Sequence, residues 1–224
     1  MKNTVRRISN TNHFTVKKAD GINLIINNKK YVDMTSGYAA CVTLGYNNKK
    51  VISSIKEQMK KFSYLSNLEY KNEKLEILSK ILVKKEPSKL NAVWYSGCSG
   101  SESIEAALKL SFLYHETLGN SQKKIFLSRD QSFHGNTLLA NGITNIPIYD
   151  VYDKIIPTNL SIVNEHNKFK YGNKFESEEK YTDFEIKNFE KKILSIGPEN
   201  ISSFVAETIS GQIVGDVTPS KNYW

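Results

Sequence analysis

A change in hydrophobic period near residue 90 constrains the fold of this chain more than any other feature. Residues 90–95 form a short run that is rich in β-forming side chains. The glycine- and serine-rich segment SGCSGSE follows at once, and from about Ser101 the apolar residues recur at helical spacing. The sequence therefore predicts a strand, a loop and a helix in direct succession, the unit from which parallel α/β sheets are built.

The rest of the chain is typical of the same α/β fold class. Two β-prone runs, residues 22–26 and 29–33, are joined by two asparagines that tolerate the positive φ of a tight hairpin turn. The remaining predicted elements are helices over residues 51–62, 75–82 and 183–194, strands over 124–128 and 204–206, and a polar insert over about 164–181. Alternating strands and helices favour a mainly parallel sheet.

Composition narrows the function classes. The net charge of +8 comes from lysines spread along the chain as pairs, which does not favour a nucleic-acid partner. Apolar runs are all far shorter than the roughly 20 residues needed to span a bilayer, so no membrane partner is expected. The basic start lacks an apolar stretch of the secretory kind, which indicates a cytoplasmic protein. Two cysteines make a disulfide framework or a Cys-rich metal site improbable.

The segment SGCSGSESIEAALKL is a candidate anion site. A small-residue loop that opens a helix presents unpaired N–H groups and the positive end of the helix dipole to a phosphate. Ser99, Gly100 and Ser101 would supply amides and hydroxyls there. The local pattern is equally compatible with a serine helix cap, and it lacks the lysine of a P-loop and the glycine spacing of a dinucleotide site.

Two more segments carry candidate residues at the carboxyl ends of predicted strands, where open α/β sheets bind ligands. In QSFHGNT, the ring of Phe133 could stack on a planar heterocycle beside His134, although a core phenylalanine next to a hydrogen-bonding histidine fits the segment alone. In FVAETISGQIVGDVTPSKNYW, Glu207 ends an apolar strand and could equally be a strand-terminal charge. A serine hydrolase fits poorly because the segment SGCSGSE lacks the GxSxG motif of a nucleophile elbow. A thiol enzyme built on Cys98 and His134 fits no better.

Taken in order, five segments resemble the class III aminotransferases, the ω-amino-acid or acetylornithine-type family. These segments are ADGINLIINNKKYVDMTSG, LGYNNKKVISSIKEQ, SGCSGSESIEAALKL, QSFHGNT and FVAETISGQIVGDVTPSKNYW. The resemblance implies the fold type I architecture, with residues 1–70 as the hairpin and helix of the small domain and residues 71–224 as the first part of the large domain. It also implies pyridoxal 5'-phosphate as cofactor, an amino donor and a 2-oxo acid acceptor as substrates, and a homodimer or a complementing C-terminal half as partner.

The resemblance implies roles for individual residues. Gly100 and Ser101, with Ser99 beside them, match the phosphate loop; Phe133 matches the residue that stacks on the pyridine ring, with His134 next to it. Glu207 matches a carboxylate near cofactor and substrate. The sequence departs from the family at Tyr46, Lys49 and Thr208, which replace a histidine and two prolines, and Cys98 is an added residue before the loop.

The family's cofactor-holding lysine, its pyridine-nitrogen aspartate and its C-terminal domain would all lie beyond the position of Trp224. We therefore expect residues 1–224 to match the N-terminal half of such an enzyme and to be inactive alone, since aminotransfer needs that lysine. Two alternatives stay open: a non-catalytic remnant, or one chain of a split aminotransferase.

Overall fold

A computed structural model describes residues 14–38, 40–85, 88–146, 151–152, 154–157, 159–211 and 213–224. The chain divides into two compact units, residues 1–92 and residues 93–224, which are described separately. The predicted domain boundary after residue 70 is not tested by these units and stays a prediction.

The first unit opens with a three-stranded antiparallel sheet of β1 (Val16–Asp20), β2 (Asn23–Ile26) and β3 (Lys29–Val32). Asn27 and Asn28 have φ values of 49° and 61°, the pair of positive values that a two-residue hairpin turn requires. The predicted hairpin is thus confirmed, and β1 is an additional strand at its edge.

Asp33 organises the loop that follows β3. Its carboxylate accepts hydrogen bonds from the amide and hydroxyl of Thr35 and from the amide of Gly37. The hydroxyl of Tyr46 donates to the same carboxylate at 2.8 Å. These donors, Thr35 first, hold the pKa of Asp33 well below its usual range. Tyr46, which departs from the family histidine, is therefore part of the loop's hydrogen-bond network.

Two helices complete the first unit, α1 (Lys49–Lys61) and α2 (Glu73–Lys85). The side chain of Asn48 caps α1 by accepting from the amide of Val51 at 3.2 Å, so Lys49 can open the helix without the family's proline. Both helices lie where the spacing predicts them. Neither contains a buried residue, and the apolar face of α1, for example Ile55 and Met59, is exposed.

The second unit is a parallel α/β sheet with helices. In order it contains α3 (Gly100–Thr117), β4 (Ile125–Arg129), α4 (Leu138–Gly142), β5 (Leu160–Val163), α5 (Lys168–Tyr171), α6 (Glu178–Ile196) and β6 (Ile201–Val205). Central β4 pairs in parallel with β5 on one side and β6 on the other. The predicted α/β class with a parallel sheet is confirmed.

The core of this unit lies where α3 and α4 cover the sheet. Leu108 of α3, Phe126 of β4 and Ile143 after α4 form the buried cluster, and they are 1%, 4% and 0% exposed. Ile104, Leu139, Leu160 and Val205 pack against it. The helical spacing of Ile104 and Leu108 predicts that both side chains pack in the core, and both do so.

Several details differ from the sequence predictions. Residues 90–95, where a strand was predicted, lie in neither strand nor helix, so that prediction is wrong for the described chain: β-propensity makes a strand only where a neighbouring strand completes the ladder. Strand β5 was not predicted, because its four residues carry little pattern. The polar insert contains α5, and α6 begins five residues earlier than predicted, capped by Ser177.

Candidate functional site

The N-terminus of α3 is shaped by Ser99 and Glu102. The hydroxyl of Ser99 accepts from the amide of Glu102 at 3.2 Å and donates to its carboxylate at 2.8 Å. The amide of Cys98 donates to the same carboxylate at 3.0 Å. The hydrogen bond from Ser99, followed by those from Cys98, lowers the pKa of Glu102. Ser99 is therefore a helix cap, the alternative that the sequence left open.

Gly100 and Ser101 occupy the first turn of α3 beyond this cap. Helix geometry leaves their amides without an acceptor inside the helix, since the Ser99 side chain and carbonyl take the amides of Glu102 and Ser103. Apart from Gly100 itself, its two neighbours and the nearby backbone of α3, no atom of the described residues lies within 4 Å of the position that a Cβ on Gly100 would occupy. The helix thus presents open space and two amides to an anion.

Ser101 joins this helix to the QSFHGNT loop. Its hydroxyl oxygen accepts from the amide of Asn136 at 3.0 Å, which leaves the serine's own proton for another acceptor. A Cβ on Gly135 would lie 2.6 Å from that oxygen, so only glycine permits this approach. The structure therefore brings two of the predicted segments together at Ser101.

Hydrogen bonds to Thr144, which is 7% exposed, stabilise the QSFHGNT loop. The Thr144 hydroxyl oxygen accepts from the amides of His134 and Gly135 at 2.8 and 3.3 Å, and it lies 2.9 Å from the carbonyl of Ala140, to which it donates. Glu105 of α3 accepts from the first amides of α4. These contacts fix the backbone that carries Phe133 and His134.

His134 and Phe133 differ in exposure. Phe133 is 39% exposed, so its side chain is accessible to a partner. The Nε2 atom of His134 is buried without a hydrogen-bond partner among the described residues. Burial, followed by the positive charge of Arg129, lowers the pKa of His134 to about 4. His134 is therefore a neutral imidazole near pH 7 with one unused ring nitrogen.

Glu207 lies just beyond β6, at the same end of the sheet as the loop after β4. Its carboxylate accepts from the amide of Gly211 at 3.1 Å, and its carbonyl accepts from Nη2 of Arg129. Arg129, the last residue of β4, is 1% exposed, and Ser132 donates to its carbonyl at 2.6 Å. Through Arg129, the Glu207 loop and the His134 loop are anchored to the same strand end.

Ser99 and His134 do not form a Ser–His pair of the hydrolase kind. The Ser99 hydroxyl is used by Glu102, and the buried ring nitrogen of His134 has no partner among the described residues. Within the same residues no group of three His, Cys, Asp or Glu side chains could hold a metal ion. No helix in the described ranges is both long and apolar enough to cross a bilayer.

Comparison with known proteins decides the family. A family model described as Aminotransferase class-III matches residues 4–224. The chain belongs to the class III aminotransferases. An uncharacterized aminotransferase of Schizosaccharomyces pombe is 32% identical over 211 residues, which cover 94% of this chain and 46% of the relative. Gamma aminobutyrate transaminase 2 of Solanum lycopersicum is 27% identical, with 93% and 46% covered.

Solved structures agree on the fold type I architecture. An omega-transferase from Vibrio fluvialis matches with a TM-score of 0.85 at 25% identity, over 94% of this chain and 49% of that one. The omega transaminase from Pseudomonas jessenii, solved in complex with PMP, matches in fold with a TM-score of 0.89 at 24% identity, over 98% and 50%. This class III chain thus spans about half the length of the curated relatives it matches.

Class III aminotransferases depend on pyridoxal phosphate, so the predicted cofactor is confirmed for the family. The residues present fit that group. The amides of Gly100 and Ser101 lie in the first turn of α3, and the exposed Phe133 and the unpartnered Nε2 of His134 belong to the loop bonded to Ser101. Phosphate and ring therefore each have matching chemistry.

Arg129 and Thr144 were not singled out from the sequence of this class III chain. Arg129 follows the apolar run IFLS directly, and a charged residue that ends a buried strand was the available signal. Thr144 lies ten residues beyond His134 in an unremarkable polar stretch, and only the return of the chain after α4 brings it under the loop.

Proposed function

We propose that this chain forms the cofactor-binding N-terminal part of an aminotransferase that moves an amino group from an amino acid or ω-amine to a 2-oxo acid. The hydrogen bond between Ser101 and Asn136 carries the proposal, because it joins an anion-binding helix start to the loop of Phe133 and His134. Names of relatives such as gamma aminobutyrate transaminase support the reaction class.

In this proposal each residue has a binding role. The amides of Gly100 and Ser101 and the Ser101 hydroxyl donate to the phosphate, with Ser99 fixing the helix start. Phe133 stacks on the pyridine ring, and neutral His134 lies beside it without adding positive charge. Bound pyridoxal phosphate supplies an electron-withdrawing ring that stabilises negative charge on the substrate carbon.

Glu207 has a separate part in the proposal. Its carboxylate is fixed by the amide of Gly211, and its backbone is fixed by Arg129. A carboxylate oriented in this way would border the substrate side of the cofactor and select substrates by their charge.

The expectation of a cytoplasmic location stays a prediction.

We also propose that a polypeptide of residues 1–224 does not catalyse transamination by itself and pairs with a second copy or with a complementing C-terminal half. The exposed apolar face of α1 and the exposed Trp94 support an assembly of this kind. Sedimentation of the purified chain should show self-association, and a stable monomer that remains soluble would contradict the assembly proposal.

Binding of pyridoxal phosphate to the purified chain tests the site. Ser101→Asp places a negative charge against the phosphate and should weaken binding at least about tenfold. Ser121→Asp is the matched control, since Ser121 is an exposed residue in the turn beyond the far end of α3. Equal affinities for the two variants would remove the loop from the proposed site.

A further inference from the structure

A cavity of about 440 Å³ lies in the second unit, and Asp130, which directly precedes the QSFHGNT loop, is part of its lining. The end of β4, the segment after β5 and the first half of α6 enclose it. Its lining contains none of Ser99, Gly100, Ser101, Phe133, His134 or Glu207. The volume lies in the range of small-ligand sites.

Aromatic rings form one wall of this cavity. The ring of Phe175 lies 5.3 Å from that of Tyr181 and 5.2 Å from that of Phe184, centroid to centroid. Tyr171 also lines the cavity, and its ring has the ammonium groups of Lys170 and Lys174 at 4.8 and 6.0 Å from its centroid. The face of an aromatic ring attracts cations, and here the chain's own ammonium groups already occupy such positions.

Acidic side chains also belong to the lining of this cavity. Asp130, Glu165 and Glu185 line the cavity, and Glu165 is only 7% exposed. Its Oε1 accepts from Nζ of Lys170 at 2.8 Å and from the Tyr171 hydroxyl at 3.0 Å. Its Oε2 is buried without a hydrogen-bond partner among the described residues. A buried carboxylate oxygen without a donor is costly, and a ligand N–H would satisfy it.

The charge balance favours a positive ligand. Lys174 is the cation in the lining; its ammonium group lies 6.0 Å from the centroid of the Tyr171 ring and makes no ion pair within 4.0 Å inside the described ranges. Lys170 is committed to Glu165. Glu185 is 9% exposed, and burial raises its pKa, so a cation beside it would favour its ionised form.

We propose that this cavity binds a primary arylalkylammonium cation. A primary ammonium has three N–H donors for the carboxylates of the lining, and its aryl group matches the rings of Phe175 and Phe184. Binding here is non-covalent and independent of the cofactor. It therefore goes beyond the proposed aminotransferase function and can be tested separately from it.

Calorimetric titration of the purified chain, without pyridoxal phosphate, tests the proposal with 2-phenylethylammonium and its neutral isostere 2-phenylethanol. The ammonium should bind at least about tenfold more tightly, because only it supplies charge-assisted donors. Equal affinity for both compounds, or no detectable binding of the ammonium at about 10 mM, would overturn the proposal.

Variants locate the binding. Glu165→Gln removes the charge of the buried carboxylate and should weaken ammonium binding about tenfold. Phe184→Ala removes a wall residue that is 47% exposed, so it tests the same cavity should Glu165→Gln fail to fold. Glu179→Gln, an exposed neighbour on α6 outside the lining, is the charge-matched control. Binding that survives both cavity variants, or that is lost only with Ser101→Asp, would refute the cavity as the site.

Discussion

Gly135 offers the sharpest test of how the site is built, because its hydrogen atoms lie against α3. A Cβ there would lie 2.6 Å from Oγ and 2.9 Å from Cβ of Ser101, and 2.9 Å from Cβ of Ala140. Its φ of 150° is also a value that other residues rarely adopt. The change Gly135→Ala therefore combines overpacking with backbone strain.

Each of these two effects typically costs about 1–3 kcal/mol, so we expect Gly135→Ala to lower the free energy of unfolding by roughly 2–6 kcal/mol. Urea denaturation followed by tryptophan fluorescence measures the loss. Gly100→Ala is the control, since its Cβ position is empty to 4 Å, and we expect a change of about 0.5 kcal/mol or less there.

A double-mutant cycle identifies the source of the cost. Replacing Ser101 by Gly removes both of the nearest Ser101 atoms while leaving Ala140, so Gly135→Ala should cost less in that background by about 1 kcal/mol or more. If Gly135→Ala costs the same as Gly100→Ala, or if the cycle shows no coupling, the close approach of the two segments is refuted.

Three further predictions concern the pKa of His134, the role of Arg129 and covalent trapping of the cofactor. Titration of His134 by NMR should give a pKa near 4. Because the imidazole titrates near pH 6.5 in the unfolded chain, the free energy of unfolding should fall as the pH drops from about 6.5 to 4. A measured pKa above 6 would contradict the argument that burial lowers it. Arg129→Lys should lose about 1–3 kcal/mol of stability because the buried hydrogen bonds from Nη2 to the Glu207 carbonyl and the Ser210 hydroxyl are lost, whereas Lys187→Arg on α6 should change little. Borohydride treatment of residues 1–224 with pyridoxal phosphate should trap no single lysine, and one specifically trapped lysine accompanied by turnover of an amino donor would show that this polypeptide is active alone.

Local patterns predicted most of the fold. The paired asparagines at positions 27 and 28 specify the hairpin turn, and the apolar spacing in α3 specifies which face packs on the sheet. Both depend on near neighbours in the chain. The strand prediction for residues 90–95 failed for the converse reason: their β-propensity is clear, but strand formation also needs a neighbouring strand, which propensity does not supply.

In the candidate site, too, the residue types could be predicted from the sequence, whereas the contacts between distant segments could not. The family resemblance implied that Ser101 and His134 serve one site, yet the contact that relates them is between Ser101 and the backbone amide of Asn136. Backbone groups carry no sequence signal, so neither this bond nor the support from Thr144 could be predicted. For Arg129 the residue type was visible, but the carbonyl that it binds, 78 positions away, was not.

One consequence concerns how the proposed site would respond to its cofactor. Ser101 contributes an amide to the open start of α3, and its hydroxyl oxygen accepts from the loop that carries His134. An anion that engages the Ser101 proton would polarise that hydroxyl and strengthen the bond from Asn136, since linked hydrogen bonds reinforce one another. Binding of the phosphate should therefore also order the loop beside the ring. Loss of the Ser101 hydroxyl should weaken phosphate binding and increase amide exchange at Asn136, while a cap mutation at Ser99 should affect the helix start without loosening that loop.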